Sequence, residues 1–551
     1  MICRPALTRG SQLALRCQGA AKLAQRGFAT AASPKASYEP TTIGGVKVAS
    51  RDDNGPTTRL AVVAKAGTRY EPLPGLTVGL EEYAFKAGCN TERRSALRIV
   101  REAELLGGQL SAYHTREALI LQANFLREDL PYFTELLAEV VSQTRYTTHE
   151  FHEEVENIIR AKQAKLDAPA IALDAAHSVA FHTGLGAPLY PTTSTPIASY
   201  LNESSVAAFA EAAYSKANIA VVADGASQAG LSRWIEPFFK AVPAESPSPL
   251  KVANSKYYGG EQRIANTGAS SMVLAFPGAA LGANQPETAV LVGLLGGQST
   301  IKWSPGFSLL SNATVAAPGA QAQATNYAYS DAGLLTIQIN GRAAAVRKAA
   351  EESVKALKSV AEGGVSQESL VKAIAKAKFN LLSASEVSGI GLVHAGANLI
   401  HGGQPLQVTE TAKALESVTA DKLKAAAKTL LEGKASVAAV GDLHVLPFAE
   451  ELGLKKQLSL QNSATKSLSA KPPKMTFAWK AAGITYNRYL AVASRVVRRS
   501  LKEEKRLAAE RRGQQDLRFA KWSNGKQGDV RNLAEANAEA AVESAAAGGT
   551  R

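Results

Sequence analysis

The densest grouping of chemically capable side chains is His149-Glu150-Phe151-His152-Glu153. Imidazoles and carboxylates together can ligate zinc or exchange protons. A helix-borne zinc pair sets its histidines four residues apart, as in H-E-x-x-H. Here they are three apart, so the stretch reads as the polar start of a solvent-exposed helix, with Thr147 and Glu150 forming a capping box. His177, His182, His394, His401 and His444 have no partner at ligand spacing and read as ordinary core or surface histidines. The three cysteines, Cys3, Cys17 and Cys89, make no C-x-x-C, no C-x-x-C-H and no iron–sulfur spacing. The chain by itself therefore holds no cysteine-ligated redox centre, and no cofactor or metal is expected.

The elements that would position such groups belong to a chain of 551 residues, 46% of them hydrophobic. That length suits three or four units at roughly 100–200 residues each. The longest apolar run, near Ala289–Leu295, falls well short of the roughly 20 residues that span a bilayer. Membrane association is expected only through partner subunits. The formal charge of +14 invites a nucleic-acid reading, but its distribution opposes one. Residues 1–38 carry six basic and no acidic residues, residues 475–551 carry 15 basic and 8 acidic, and the 436 residues between hold 41 and 40. A neutral body offers no clustered basic surface for phosphates.

The first 38 residues are rich in Arg, Ala and Ser, and the first carboxylate is Glu39. Leu7, Leu13, Leu15 and Leu23 supply apolar side chains interspersed with the arginines. This reads as a mitochondrial presequence, with a processing site at Arg26-Gly27-Phe28-Ala29-Thr30 and cleavage after Phe28.

Past the leader the sequence repeats. A strand Leu60–Ala64 and a helical stretch from about Val78 precede Gly107-Gly108-Gln109-Leu110-Ser111-Ala112-Tyr113. The strand Ala118–Leu126 and the helix Leu130–Val141 follow. In the second half the order recurs: strand Ser271–Phe276, helix Glu287–Leu295, then Gly319-Ala320-Gln321-Ala322-Gln323-Ala324, strand Gly333–Asn340 and helix Ala343–Val360. One order at one long offset predicts two homologous halves of the α/β (α+β) class, each a mixed sheet flanked by helices. The expected units are 39–236 and 263–455, joined by a proline-rich linker, 237–262. A Ser/Lys-rich linker, 456–474, leads to a helical segment, 475–529, and an Ala/Glu-rich, disordered tail, 530–551.

The run Gly75-Leu76-Thr77-Val78-Gly79-Leu80-Glu81-Glu82-Tyr83-Ala84-Phe85-Lys86 resembles the inverted-zinc-motif peptidases. So do Leu110-Ser111-Ala112-Tyr113, Arg116-Glu117 and Glu128-Asp129-Leu130-Pro131. This is the family of mitochondrial processing peptidase and of the core proteins of respiratory complex III, and the resemblance covers roughly residues 40–455. Its active members carry H-x-x-E-H on a helix, with a distal glutamate as third ligand. By resemblance Val78 stands at the first histidine, Glu82 at the second, Glu81 at the general base, and the distal ligand falls near Ala161. Three lost ligands imply no hydrolysis. The family's non-catalytic peptidase subunit has a glycine-rich loop. The matching Gly296-Gly297-Gln298-Ser299-Thr300-Ile301-Lys302-Trp303-Ser304-Pro305-Gly306 resembles instead the branch of the second core proteins. That branch implies a peripheral subunit on the matrix side of the inner membrane, paired with core protein 1 and supporting the membrane subunits of complex III.

Residues from Met475 to about Gln527 resemble the small epsilon subunit of mitochondrial ATP synthase, through Met475–Tyr486, Arg488-Tyr489-Leu490, Arg498–Lys502 and Phe519–Gly525. Thr485 can cap a helix, and Arg511-Arg512-Gly513 can end it. Tyr489, Val496 and Leu501 recur at helical spacing. A single amphipathic helix must bury its stripe on a partner, with Trp479, Tyr486, Phe519 and Trp522 as further anchors. The resemblance implies the central stalk of ATP synthase as that partner. Two other readings remain beside a structural subunit: a presequence-processing metallopeptidase or its recognition subunit, and a nucleic-acid-binding basic tail. Met475 also reads as a natural start. A tethered body of over 400 residues is hard to fit into a rotating stalk, which favours two adjacent genes read as one, or later separation, over a lasting fusion.

Overall fold

The computed structural model describes residues 37–454, less 86–89, 194, 196, 198–199, 251–253, 282, 284, 298–305, 388–389 and 406. The leader up to residue 36, Phe28, all three cysteines, the middle of the 296–306 loop and everything from residue 455 lie outside the described residues. So do Trp479, Tyr486, Tyr489, Val496, Leu501, Phe519 and Trp522.

The first half contains β1 (Glu39–Ile43), β2 (Val46–Arg51), β3 (Thr57–Ala64), α1 (Leu76–Phe85), α2 (Ala96–Leu105), β4 (Gln109–His114) and β5 (Leu119–Leu126). It continues with α3 (Leu130–Ser142), α4 (Glu156–Ala164), α5 (Ala168–Phe181), α6 (Glu203–Ala213), β6 (Ile219–Asp224) and α7 (Gln228–Phe238). The second half contains β7 (Gly260–Ala265), β8 (Ser270–Gly278), α8 (Pro286–Leu295), α9 (Leu309–Ala316), β9 (Gln321–Ala328) and β10 (Gly333–Gly341). It closes with α10 (Ala343–Glu362), α11 (Gln367–Val387), α12 (Ile390–Ile400), α13 (Val408–Glu416), α14 (Ala420–Glu432) and β11 (Ser436–Gly441).

The two sheets share one topology. The first runs β1-β2-β6-β3-β5-β4 and the second β7-β11-β8-β10-β9. The first sheet carries β1 as an additional edge strand, antiparallel to β2; the remaining five strands of each have one parallel pair (β2–β6, β11–β7) beside three antiparallel pairs. The repeat extends to the backbone of the turns. Gly107 (φ +67°) and Gly319 (φ +86°), 212 positions apart, both hold the left-handed conformation just before β4 and β9. Glycine adopts that conformation without a Cβ penalty.

Each sheet is covered on both faces, which explains the unbroken apolar strands. Leu60 to Ala64 are all buried, as expected for strands with no solvent face. One face of the first sheet packs on α1 and α3, whose Leu76, Leu80, Phe133 and Leu137 join Leu60, Val62 and Leu121 in one cluster. The other face receives a helix from the second half: Leu392, Ala395 and Leu399 of α12 meet Ala61, Val63 and Val222. Gly396 allows this approach, since a Cβ there would come within 2.5 Å of the Val63 side chain. The exchange is reciprocal. Ala172, Ala176 and Ala180 of α5, from the first half, meet Val273, Ala275, Ala438 and Val440 of the second sheet. The halves are thus knitted by a traded pair of helices.

Two boundaries differ from the sequence reading. Tyr38 is buried and bonded through its backbone to the Gln407 side chain, so the folded body reaches into the segment set aside as leader. The first carboxylate marks a change of charge, not of burial. Pro237 does not open a linker; it lies inside α7, one residue before its end, where the missing N–H and the ring's crowding of the carbonyl four residues back stop the helix. No described helix is long and apolar enough to cross a membrane.

Candidate functional site

All ten residues of α1 are buried, glutamates included. This helix has no solvent face, so every polar atom on it must be matched from a neighbouring element. Its N-terminus is held by Glu71, whose Oε2 accepts from the Thr77 backbone N–H at 3.2 Å. Burial pushes the Glu71 carboxyl up to about 8, against the pull of those backbone donors. Val78 is fully buried and packs within the apolar cluster of the first half.

Glu81 and Glu82 meet an ammonium. Lys162 Nζ, from α4, donates to Glu81 Oε1 at 2.8 Å and lies 2.5 Å from Glu82 Oε1. On its other side Glu81 pairs through Oε2 with His114 Nδ1, from the end of β4. The far edge of that ring donates from Nε2 to the Leu189 carbonyl at 2.9 Å. Tyr190 closes the site: its ring lies 5.3 Å beneath the Lys162 ammonium and edge-on to His114 at 5.1 Å. Burial alone would raise the Glu81 carboxyl, but His114 and Lys162 outweigh it and hold it down at about 2. Burial opposes the charge on Lys162 too, yet Glu81 and Glu82 together raise its pKa.

These residues do not fit a zinc ion. Val78 offers no donor atom, and the Lys162 ammonium already lies within 3 Å of both carboxylates. A second cation there would face like-charge repulsion at low dielectric. Ala161 is exposed and contributes nothing; the residue that enters the site is its neighbour Lys162. Among the described residues, no group of three His, Cys, Asp or Glu is disposed to hold a metal.

Two members of this cluster escaped the sequence reading. His114 lies 33 positions from Glu81, too far for any spacing rule, though strand alternation puts it on the face of Leu110 and Ala112. Lys162 adjoins the expected ligand position, but a lysine is no ligand and drew no notice.

His149, His152 and Glu153 are solvent-exposed as expected, with His149–Glu153 at 3.3 Å and His152–Glu156 at 3.1 Å, while Phe151 between them is buried in the core of the first half. The capping box does not form. The Thr147 hydroxyl donates to the Glu150 carboxylate at 2.6 Å, and its side chain makes no cap bond to the backbone. The turn that follows, Phe151–Val155, is widened to a π-helix. His177 is a core histidine joining the halves: Nδ1 donates to the Leu173 carbonyl and Nε2 accepts from the Tyr329 hydroxyl, each at 2.8 Å. The halves also meet through Arg69, which reaches Glu117 at 2.6 Å and Asp331 at 2.6 Å, while Glu117 accepts from the Ser330 backbone N–H at 2.8 Å.

Comparison with known proteins matches three stretches of the chain. A family model described as insulinase (peptidase family M16) matches residues 47–193, and one described as the M16 inactive domain matches residues 200–377. A model described as the mitochondrial ATP synthase epsilon chain matches residues 477–525. Cytochrome b-c1 complex subunit 2 of Neurospora crassa is 76% identical over 456 residues, 83% of this chain and all of that relative. The subunit 2 of Cryptococcus neoformans is 38% identical over 75% of this chain and 94% of its own length. The human subunit 2 is 27% identical over 78% and 96%.

Proposed function

We propose, from the premise that this chain belongs to the family of cytochrome b-c1 complex subunit 2, that its body is a non-catalytic structural subunit of the mitochondrial ubiquinol–cytochrome c reductase, complex III. The observation that carries the non-catalytic reading is the Lys162 ammonium lodged between Glu81 and Glu82, where a metallopeptidase would hold its ion. A buried ion cluster of this kind stabilises a scaffold and leaves no open coordination position for an attacking water.

In the finer reading the body sits peripherally on the matrix side, pairs with core protein 1 and supports the membrane subunits. The residues of the 477–525 match dock on the central stalk of ATP synthase, with the aromatic residues from Trp479 to Trp522 as anchors. The family match at 477–525 supports the second statement, and the three subunit 2 relatives support the first.

Blue-native separation of mitochondrial membranes, probed for the body and for the 475–529 segment, tests this. The body should migrate with complex III and the segment with ATP synthase. Absence of the body from complex III would sink the main claim. Cleavage of presequence peptides by the purified body, lost on chelation, would sink the non-catalytic one. Intact-mass measurement on the same mitochondria shows whether the two parts travel as one polypeptide, and two separate masses are expected.

A further inference from the structure

The second half leaves one helix face without a partner. α11 buries Leu370, Ala373 and Ala377 but presents Val371, Ala375, Phe379 and Leu382 to solvent. Val371 and Phe379 are 58% and 62% exposed. At about 3.6 residues per turn these four positions (i, i+4, i+8, i+11) lie on one ribbon. Phe307, 85% exposed, widens it: the Lys372 ammonium stands 5.5 Å over its ring. Singly exposed apolar residues are ordinary, but a contiguous run with large aromatic members marks a contact surface.

The margins of the ribbon are basic. Lys372 and Lys376 lie along one side and Lys378 along the other, against two acidic residues in the same helix, Glu368 and Glu386. Lys372 pairs with Glu368 at 2.6 Å and Lys378 with Glu416 on α13 at 2.5 Å. Lys376 instead lies 5.4 Å over the Phe379 ring, leaving its charge at the ribbon itself.

We propose that this ribbon is a docking surface for a neighbouring subunit of the same complex, and that the occupant is an amphipathic helix with carboxylates flanking its apolar stripe. The inference rests on the reading of the body as a complex III subunit. From Val371 to Leu382 the ribbon runs about 16 Å, three turns, which suits one helix laid alongside it. Apolar and aromatic side chains rimmed by cations make up the anatomy of a protein interface, and the Lys376 ammonium held at the ribbon calls for an acidic group opposite.

The test uses the full chain in mitochondria, with the photo-crosslinking residue benzoylphenylalanine placed at Ala375 and, as a control, at Lys428 on the exposed side of α14. Blue-native separation is read first. Position 375 should give one crosslinked protein within complex III, joined through a segment with Asp or Glu beside apolar residues, and position 428 should not. K376E should lower that yield about tenfold, the loss of one charge pair at an interface rim and its replacement by repulsion. Crosslinking to lipid alone, to a second copy of this chain, to the same species from both positions, or with a yield indifferent to K376E would overturn the proposal. If the unlabelled chain is missing from complex III, the functional reading falls as well. If the chain is present and position 375 captures nothing, the ribbon alone is refuted.

Discussion

Lys162 Nζ lies 2.5 Å from Glu82 Oε1, across the buried gap between α4 and α1. A protonated amine here compensates carboxylates that α1 keeps from water, and it ties α1 to α4. Removing it leaves buried charge without compensation. Lys162→Met should lower the unfolding free energy by about 3 kcal/mol, as when one partner of a buried pair is lost. Adding Glu82→Gln should restore a large part. Urea titration of the purified body measures both. Equal midpoints for wild type and Lys162→Met would show that the cluster does not stabilise the fold.

The same geometry predicts how metal affinity would return. The wild-type body should show no thermal shift with zinc, because Lys162 holds the site's positive charge. The triple change Val78→His, Glu82→His, Lys162→Glu puts two imidazoles one turn apart and removes the ammonium. That variant should bind one equivalent of zinc, measured by elemental analysis after desalting. A triple variant that emerges metal-free would mean the backbone frame has also been lost.

Acid sensitivity follows from Glu81. Its carboxyl is held down at about 2 in the folded chain and would titrate near 4.3 when unfolded. The folded state therefore prefers the ionised form. Its stabilisation is fully present above about pH 4.3 and disappears as pH falls towards 2. Unfolding midpoints measured from pH 7 to pH 3 should drop at the acid end, and Glu81→Gln should flatten that drop. An unchanged acid limb in the variant would assign the sensitivity to other carboxylates.

A second, milder pH effect belongs to the seam between the halves. Burial pulls His177 well below the ordinary histidine range, so the ring stays neutral and accepts from the Tyr329 hydroxyl. Unfolded chains take up a proton near pH 6.5 that the folded chain refuses. Stability should thus decline as pH falls below about 6.5. Tyr329→Phe should cost about 1 kcal/mol at neutral pH by leaving Nε2 without its donor. Denaturant titrations at pH 7.5 and 5.5 check both, and no loss at pH 5.5 would contradict the assignment.

Much of the fold was legible beforehand. Apolar runs and helical periodicity placed β5, β8 and β10, and α3, α8 and α10, within about two residues of their observed limits, and the start of α1 within two and that of β3 within three. Such patterns are local and survive without tertiary context. The duplication was legible for the same reason, since Gly107 and Gly319 carry a backbone requirement that sequence records directly. The traded helices were not. Nothing in the alanine-rich α5 or in α12 says that each covers the sheet of the other half, because both faces of each sheet are apolar and period alone does not choose the cover.

The site divides along the same line. From the sequence by itself, the resemblance puts Val78 and Glu82 at the positions where active members carry their histidines, and a valine offers a metal no donor atom whatever the fold. Only the tertiary structure decided what replaced it. Glu81 and Glu82 are brought to Lys162 and His114 from positions 80 and 33 residues away. Ion pairs between distant elements depend on distance and burial in three dimensions, which no local pattern encodes.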